Sequence, residues 1–169
     1  MASSPTDVPW PLPELTRARR AIVVVDVVES VRLMQDDEAG FIDRWRRFVH
    51  HVRTELLPKH GGRLVKSLGD GMLMEFEAPR AATACALEQQ RCIQSINNGV
   101  PSSLMIWLRI GLHVADVVVD DIDVLGSGVN LVARLASLAG PGETIASVEM
   151  RDALSDGVDA SLEDLGEQW

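Results

Sequence analysis

The stretch AIVVVDVV at residues 21–28 decides the fold. Its run of β-branched apolar residues is typical of a strand that is buried on both faces, and one carboxylate, Asp26, interrupts it near its end. A charge that is buried without a partner costs several kcal/mol. We therefore expect Asp26 either to cap the helix that follows or to bind a cation.

Helical and strand patterns alternate after this strand. Apolar residues at spacings of three and four predict a helix over residues 41–56, ending before Pro58. Two short apolar segments joined by Gly69-Asp70-Gly71 predict a hairpin, and alternation over residues 108–119 predicts a strand with one buried face. The remaining predicted elements are a helix at 81–96, a helix at 129–138, a strand at 143–147 and a short helix at 149–154.

This order of elements predicts an α+β fold of the ferredoxin-like, split βαβ kind. Its sheet should be mainly antiparallel, with helices on one face. The other face would then meet either solvent or a second copy of the domain.

Size and composition predict one domain in the cytoplasm. The chain has 169 residues, of which 46% are hydrophobic, enough for a single core. Prolines cluster near the start, so we expect a linker over residues 1–19 and the folded domain over residues 20–169. No apolar run approaches the roughly 20 residues of a membrane helix, and no leader pattern precedes the first strand.

The charge balance limits the choice of partners. The chain carries 25 acidic and 16 basic residues, for a net charge of −9. A general nucleic-acid partner is therefore not expected, because it requires a basic surface. A nucleoside triphosphate would have to be neutralised locally, by cations and a few basic side chains.

Asp26 and Asp70 form the first candidate site. Asp70 lies between two glycines at the predicted hairpin tip, and a strand and a hairpin tip are natural neighbours in such a sheet. Two carboxylates suit Mg²⁺, which keeps several waters and takes further ligands from phosphates. The alternative for Asp70 is that Gly-Asp-Gly simply makes a good turn.

Three further polar side chains stand out by position. Lys66, one of two lysines, lies in a strand pattern, where a solvated edge charge is the alternative interpretation. Asn130 and Arg134 are four residues apart and share one helix face, where they could equally be a surface pair.

Several segments together resemble the catalytic domain of class III adenylate/guanylate cyclases. The most specific is DVLGSGVNLVARL at residues 123–135, and DVV at 26–28 and KSLGDG at 66–71 also match. RIGLH at 109–113 and GPGE at 140–143 resemble further family segments. The similarity runs from about residue 21 to residue 166.

The resemblance implies an adenylate cyclase that converts ATP to 3′,5′-cyclic AMP and pyrophosphate. It implies that Asp26 and Asp70 bind two Mg²⁺ or Mn²⁺ ions per active site, and that Lys66 and Asp123 read the adenine edge. Asn130 would orient the ribose, and Arg134 would stabilise charge on the α-phosphate. The resemblance also implies a head-to-tail homodimer with shared sites, and an attached or associated regulatory domain is compatible with it.

The sequence departs from the family pattern in three places. Glu29 stands where the family has a glycine, and no lysine follows Lys66, although relatives commonly have a basic residue near their C-terminal strands. The chain ends at Trp169, where relatives continue into a last strand, so a truncated C-terminal strand is expected. These departures leave open a catalytically weak or inactive dimerisation or nucleotide-sensing domain. A polymerase-palm-like or cyclic-dinucleotide enzyme is a further alternative, against which the absence of its typical acidic hairpin counts.

Overall fold

A six-stranded sheet lies at the centre of the molecule. The computed structural model describes residues 15–154 and 161–167. Strand β1 (Thr16–Val27) runs antiparallel between β3 (Gly71–Phe76) and β4 (Leu108–Val119). The apolar stretch at residues 21–28 therefore belongs to an inner strand of the sheet.

Strand β1 begins earlier than the sequence predicted. Thr16 pairs with Val119 and the pairing continues to Arg20, so the strand extends into the segment 1–19 that was expected to be a linker. Four of these five residues are polar and three are exposed, and their strand structure comes from backbone pairing with the end of β4. Residues 1–14 lie outside the described part of the chain.

The outer strands complete the sheet in the order β2-β3-β1-β4-β5. Strand β2 (Gly62–Ser67) forms the predicted hairpin with β3, and the short β5 (Val124–Leu125) pairs with the end of β4. Strand β6 (Thr144–Ala146) pairs with β4 in parallel. The predicted α+β class and the mainly antiparallel sheet are confirmed.

A long helical segment covers one face of the sheet. Helix α1 (Ser30–His51) continues through a π-helical turn (Val52–Leu56) into the short α2 (Leu57–His60). The segment passes Pro58, where the sequence predicted an end. Proline is tolerated in the first turn of a helix because an N–H at that position would have no carbonyl acceptor within the helix. The backbone N–H of Leu57 instead reaches back to the carbonyl of Val52, the widened spacing of a π turn.

The remaining helices lie on both faces. Helix α3 (Pro79–Ile96) packs with α1 against one face, where Val23 and Phe48 belong to the same core. Helix α4 (Ser127–Leu138) covers part of the opposite face, where Val132 packs with Ile22 and Val24. This is the one difference from the expectation of helices on one face. Alternate residues of β1 point to opposite faces, so each face of the strand has its own core.

Helix α4 packs closely because β4 has a glycine beneath it. A Cβ added at Gly111 would lie 2.4 Å from the carbonyl oxygen of Val132. After β6 the chain forms the short helix α5 (Val148–Ala153), and residues 161–167 carry no helix or strand. In the described ranges, no helix is long and apolar enough to span a bilayer.

Candidate active site

Strand pairing brings Asp26 and Asp70 to the same end of the sheet. Asp26 lies near the end of β1 and is in register with Gly71 of β3. The backbone N–H of Val27 donates to the carbonyl of Asp70 across 3.0 Å. The hairpin tip and the end of β1 are therefore fixed to each other by the backbone, as the sequence predicted.

Each carboxylate already has one polar partner. The Ser30 hydroxyl, at the start of α1, donates to Asp70. The Arg109 guanidinium, on β4 directly across from Asp26, contacts the Asp26 carboxylate. A carboxylate offers about four acceptor positions, so both side chains keep free lone pairs.

This pair fits a hard divalent cation. The donor set is two carboxylates, and no group of three or more His, Cys, Asp or Glu side chains that could hold a metal occurs among the described residues. A small set of oxygen ligands is what Mg²⁺ takes from a protein when phosphates and waters fill the rest of its shell. The residues present therefore fit the ions that the resemblance implies.

Arg109 is a site residue that sequence reasoning did not single out. It was noted only as part of the family segment RIGLH, although an arginine in an alternating apolar strand is itself an indication of a functional site. Its side chain is 29% exposed, and its buried Nε has no hydrogen-bond partner. The guanidinium thus brings positive charge to the two-carboxylate end of the sheet.

Glu29 does not point into this end of the sheet. Its side chain is 63% exposed, and its carboxylate lies 3.2 Å from the Arg32 guanidinium, one turn along α1. Its backbone adopts φ 51° and ψ 39°, and no other non-glycine residue among those described has a positive φ. The family glycine at this position is therefore explained by backbone conformation, and this chain holds the same left-handed turn with a glutamate.

Lys66 and Asp123 form the second pair. The Lys66 ammonium lies 2.9 Å from one carboxylate oxygen of Asp123 and 3.0 Å from the other. The backbone N–H of Val124 also donates to Asp123 across 2.8 Å. These contacts, the Lys66 hydrogen bond above all, hold the pKa of Asp123 below its ordinary value, so the carboxylate is charged at neutral pH.

Arg63 fixes the turn that carries Asp123, a role that sequence reasoning missed. Its guanidinium donates to the backbone carbonyls of Asp120, across 3.0 Å, and Asp121, across 2.8 Å. The turn is closed by the N–H of Asp120, which donates to the carbonyl of Asp123 across 2.9 Å. The signal would have been an arginine three residues before Lys66 on the same predicted strand, but its partners are distant in sequence.

Asn130 and Arg134 lie apart from both pairs. Both are exposed on α4, and neither side chain makes a hydrogen bond or ion pair within residues 15–154 and 161–167. A single chain therefore brings together Asp26 with Asp70, and Lys66 with Asp123, but leaves the predicted ribose and phosphate residues without a contact to either pair.

Comparison with solved structures decides the family. The crystal structure of an adenylate/guanylate cyclase/hydrolase from Silicibacter pomeroyi is 33% identical to this chain, with a TM-score of 0.81. The match covers 92% of this chain and 91% of that one.

The chain belongs to the class III adenylate/guanylate cyclase family.

Other cyclase structures share the fold of this family member at lower identity. The adenylyl cyclase CyaB from P. aeruginosa is 20% identical, with a TM-score of 0.78, and the match covers 85% of this chain and 84% of that one. The guanylyl cyclase Cya2 is 22% identical, with a TM-score of 0.76 and a coverage of 91% and 89%. Structures of both nucleotide specificities thus share this architecture. No protein-family model matches the chain.

Curated relatives of this cyclase-family chain are longer proteins. "Putative adenylate cyclase 3" of Rhizobium meliloti is 35% identical over 148 residues, which are 85% of this chain and 23% of that protein. The uncharacterized protein Rv0891c of Mycobacterium tuberculosis is 34% identical over 152 residues, 86% of this chain and 49% of that protein. The chain thus spans from about a quarter to about half of the length of these relatives.

Proposed function

We propose that the chain is an adenylate cyclase that converts ATP to 3′,5′-cyclic AMP and pyrophosphate in the cytoplasm. The observation that carries the choice of ATP is the contact between Lys66 and Asp123. It places one strong donor and one charged acceptor side by side on the end of β2 and the turn before β5.

A donor beside an acceptor matches adenine better than guanine. The exocyclic amine of adenine is a donor and its ring nitrogens are acceptors, so Asp123 accepts from the amine and Lys66 donates to a ring nitrogen. Guanine carries an acceptor oxygen where adenine carries its amine. A charged carboxylate facing that oxygen would leave two acceptors opposed without a proton between them.

Asp26 and Asp70 hold the cations of the proposed site, two Mg²⁺ or Mn²⁺ ions. Bound there, the ions would lower the pKa of the ribose 3′-hydroxyl and neutralise the triphosphate. The Ser30 hydroxyl orients the Asp70 carboxylate, and the Arg109 guanidinium orients the Asp26 carboxylate.

The other two residues act on the sugar and the phosphate. Asn130 orients the ribose, and Arg134 stabilises the negative charge that develops on the α-phosphate oxygens. The ribose 3′-oxygen forms a bond to the α-phosphorus, and the bond from that phosphorus to the bridging oxygen breaks. Pyrophosphate leaves with the electron pair, and the hydroxyl proton passes to water.

A head-to-tail homodimer assembles these residues into two shared sites. Asn130 and Arg134 are exposed and contact neither carboxylate pair within their own chain. A second copy would bring its Lys66, Asp123, Asn130 and Arg134 to the Asp26 and Asp70 of the first, and the reverse in the second site. An attached or associated regulatory domain is compatible with this arrangement.

Product analysis tests the proposal. Purified protein is incubated with ATP or GTP and with Mg²⁺ or Mn²⁺, and the products are separated and identified by mass spectrometry. We expect cyclic AMP and pyrophosphate from ATP, little product from GTP, and a rate that rises faster than linearly with protein concentration while dimers assemble. Absence of cyclic AMP from a demonstrably dimeric protein would refute the proposal.

One observation favours a second candidate, a catalytically inactive domain that senses nucleotides. Glu29 stands where the family has a glycine, and it adopts a left-handed backbone at the start of α1. The next residue, Ser30, donates to Asp70. Calorimetry distinguishes the two functions, since ATP binding without any turnover would support the sensing domain.

A further inference from the structure

A cavity of about 380 Å³ lies between α1 and the β2–β3 hairpin, apart from the residues proposed for catalysis. Three cationic or titratable side chains of the helical segment line it: Arg46, His50 and Arg53. Trp45 lines it from α1, and Ser67 and Gly69 line it from the hairpin. We call this region the hairpin cavity.

The three basic side chains of the hairpin cavity lack acidic partners. None of Arg46, His50 and Arg53 makes a side-chain hydrogen bond or ion pair within residues 15–154 and 161–167. Other arginines of α1 are paired: Arg47 lies 3.0 Å from Asp43, and Arg44 lies 3.4 Å from Asp37. The absence of partners is therefore particular to the cavity and not general to the helix.

Three basic side chains without an acidic partner line this one cavity. Acidic residues outnumber basic ones by 25 to 16, so carboxylates to pair with are plentiful. Arg46 and Arg53 both line the cavity, so their guanidinium groups lie on the same side of the helical segment and repel each other. An anion bound between the two guanidinium groups would offset this repulsion.

The chemistry of the cavity selects a small phosphorylated anion. Arginine guanidinium groups bind phosphate oxygens in pairs, with geometry that an isolated ammonium cannot match. The cavity volume is at the lower end of the range for small-molecule sites, which suits ligands from pyrophosphate to a mononucleotide. A nucleic-acid polymer is disfavoured because the net charge of −9 repels it.

The hairpin cavity is connected to the proposed active site through the hairpin itself. The indole N–H of Trp45 donates to the carbonyl of Gly69 across 2.8 Å, directly before Asp70. Ser67, the other hairpin residue of the cavity, directly follows Lys66. A ligand that contacts both α1 and the hairpin would restrain the segment that carries one cation-binding carboxylate and one base-reading lysine.

We propose that the hairpin cavity is a binding site for a small phosphorylated anion, held by Arg46 and Arg53, and that its occupancy restrains the β2–β3 hairpin. Binding itself does not depend on the proposed cyclase activity. Only the consequence for catalysis rests on that function.

Calorimetric titration with inorganic pyrophosphate tests the site. The experiment uses the full chain in EDTA at constant ionic strength, so that no divalent ion recruits pyrophosphate to the carboxylates. We expect the double variant Arg46→Gln/Arg53→Gln to bind at least about tenfold more weakly than the unaltered protein, because two charge-assisted contacts are lost. Circular dichroism verifies that these exposed substitutions leave the fold intact.

Two matched variants locate the binding. Arg47→Gln removes a neighbouring but ion-paired charge, and Arg134→Gln removes the phosphate-binding cation of the proposed active site. Both should bind pyrophosphate as the unaltered protein does. The proposal is overturned if the unaltered protein does not bind at millimolar pyrophosphate, if the double variant binds equally well, or if either matched variant loses binding as the double variant does.

Hydrogen exchange tests the connection to the hairpin. Pyrophosphate should slow amide exchange in residues 67–70 of the unaltered protein and leave it unchanged in the double variant. Equal exchange with and without pyrophosphate, in a protein that binds it, would overturn the restraint of the hairpin. Since neither experiment measures turnover, failure here is distinguishable from failure of the adenylate cyclase proposal.

Discussion

Arg63 and Glu75 form an ion pair in which the guanidinium Nε lies 2.6 Å from the carboxylate of a glutamate side chain that is only 8% exposed. Glu75 belongs to β3 and Arg63 to β2, and the two residues are in register across the hairpin. The remaining nitrogens of Arg63 hold the carbonyls of Asp120 and Asp121. The buried carboxylate therefore orients an arginine that positions the turn before Asp123.

Removing this arginine should weaken substrate binding more than turnover. We expect Arg63→Gln to raise the KM for ATP by about tenfold with a smaller change in kcat, because the loss of roughly 1.4 kcal/mol of positioning affects base recognition. Steady-state kinetics with ATP and GTP measures the effect, and the preference for ATP over GTP should fall.

The matched control for Arg63 is Arg19→Gln. Arg19 lies on β1 in an ion pair with Asp116 in which both side chains are largely exposed. We expect it to leave the KM unchanged. A normal KM and a normal ATP preference in Arg63→Gln would contradict the positioning role.

The Arg63 and Glu75 pair also shows which contacts the sequence does not predict. The continuous apolar run in β1, the alternation in β4 and the Gly-Asp-Gly tip predicted the sheet and the meeting of Asp26 with Asp70, because these are local patterns. Arg63 and Arg109 act through strands that are distant in sequence, and a cross-strand partner cannot be derived from periodicity. The family resemblance supplied the Lys66 and Asp123 pair, which strand patterns alone did not indicate.

The same limit applies to helices and strand ends. The pattern of α4 predicted an amphipathic helix but contains nothing that selects one face of a sheet over the other. Thr16 to Arg19 have no apolar periodicity, and their strand structure depends on the backbone of β4. In each case the missing information is a tertiary contact.

Glu29→Gly should stabilise the protein. The left-handed backbone at this position costs a non-glycine residue roughly 1–2 kcal/mol, and the greater flexibility of unfolded glycine offsets part of the gain. We expect a net increase of about 1 kcal/mol in the free energy of unfolding, measured by urea denaturation.

Glu29→Ala separates backbone strain from charge. It removes the same carboxylate and the exposed contact to Arg32 but keeps a Cβ in the left-handed conformation. Glu29→Gly should be the more stable of the two variants by about 1 kcal/mol. If the two variants were equally stable, backbone strain at this position would not be the cause.

His113 should make the fold less stable in mild acid. Burial above all lowers the pKa of His113 below its ordinary value of 6.5, and its Nδ1 lies 2.8 Å from the Ser147 hydroxyl. The exposed Glu149 opposes this shift and Arg19 adds to it. His113 therefore binds a proton more readily in the unfolded chain than in the folded one. The free energy of unfolding should fall as pH drops below 6.5.

Denaturation at a series of pH values from 8 to about 5 measures this dependence. His113→Gln should lose stability overall and show a weaker decline with acid than the unaltered protein. An identical decline in His113→Gln and the unaltered protein would assign the acid sensitivity to other groups.

Two inactive variants should restore each other if the active sites are shared between subunits. Asp70→Asn removes one cation-binding carboxylate, and Arg134→Ala removes the cation at the α-phosphate, so each homodimer should lose roughly 10² to 10³ in turnover. In a mixed dimer, one site receives the altered residue 70 from one chain and the altered residue 134 from the other, so it is inactive. The second site receives the unaltered Asp70 and the unaltered Arg134, so it is intact. An equal mixture after subunit exchange should thus recover about a quarter of the unaltered activity, since half of the dimers are mixed and each has one intact site.

The control mixes Arg134→Ala with Asn130→Ala. These two substitutions alter the same half of a site, so a dimer with one chain of each has no intact site. No recovery in the first mixture, once mixed dimers are demonstrated, would show that each site is built within one chain, and recovery in the control would show that Asn130 and Arg134 of one site come from different chains.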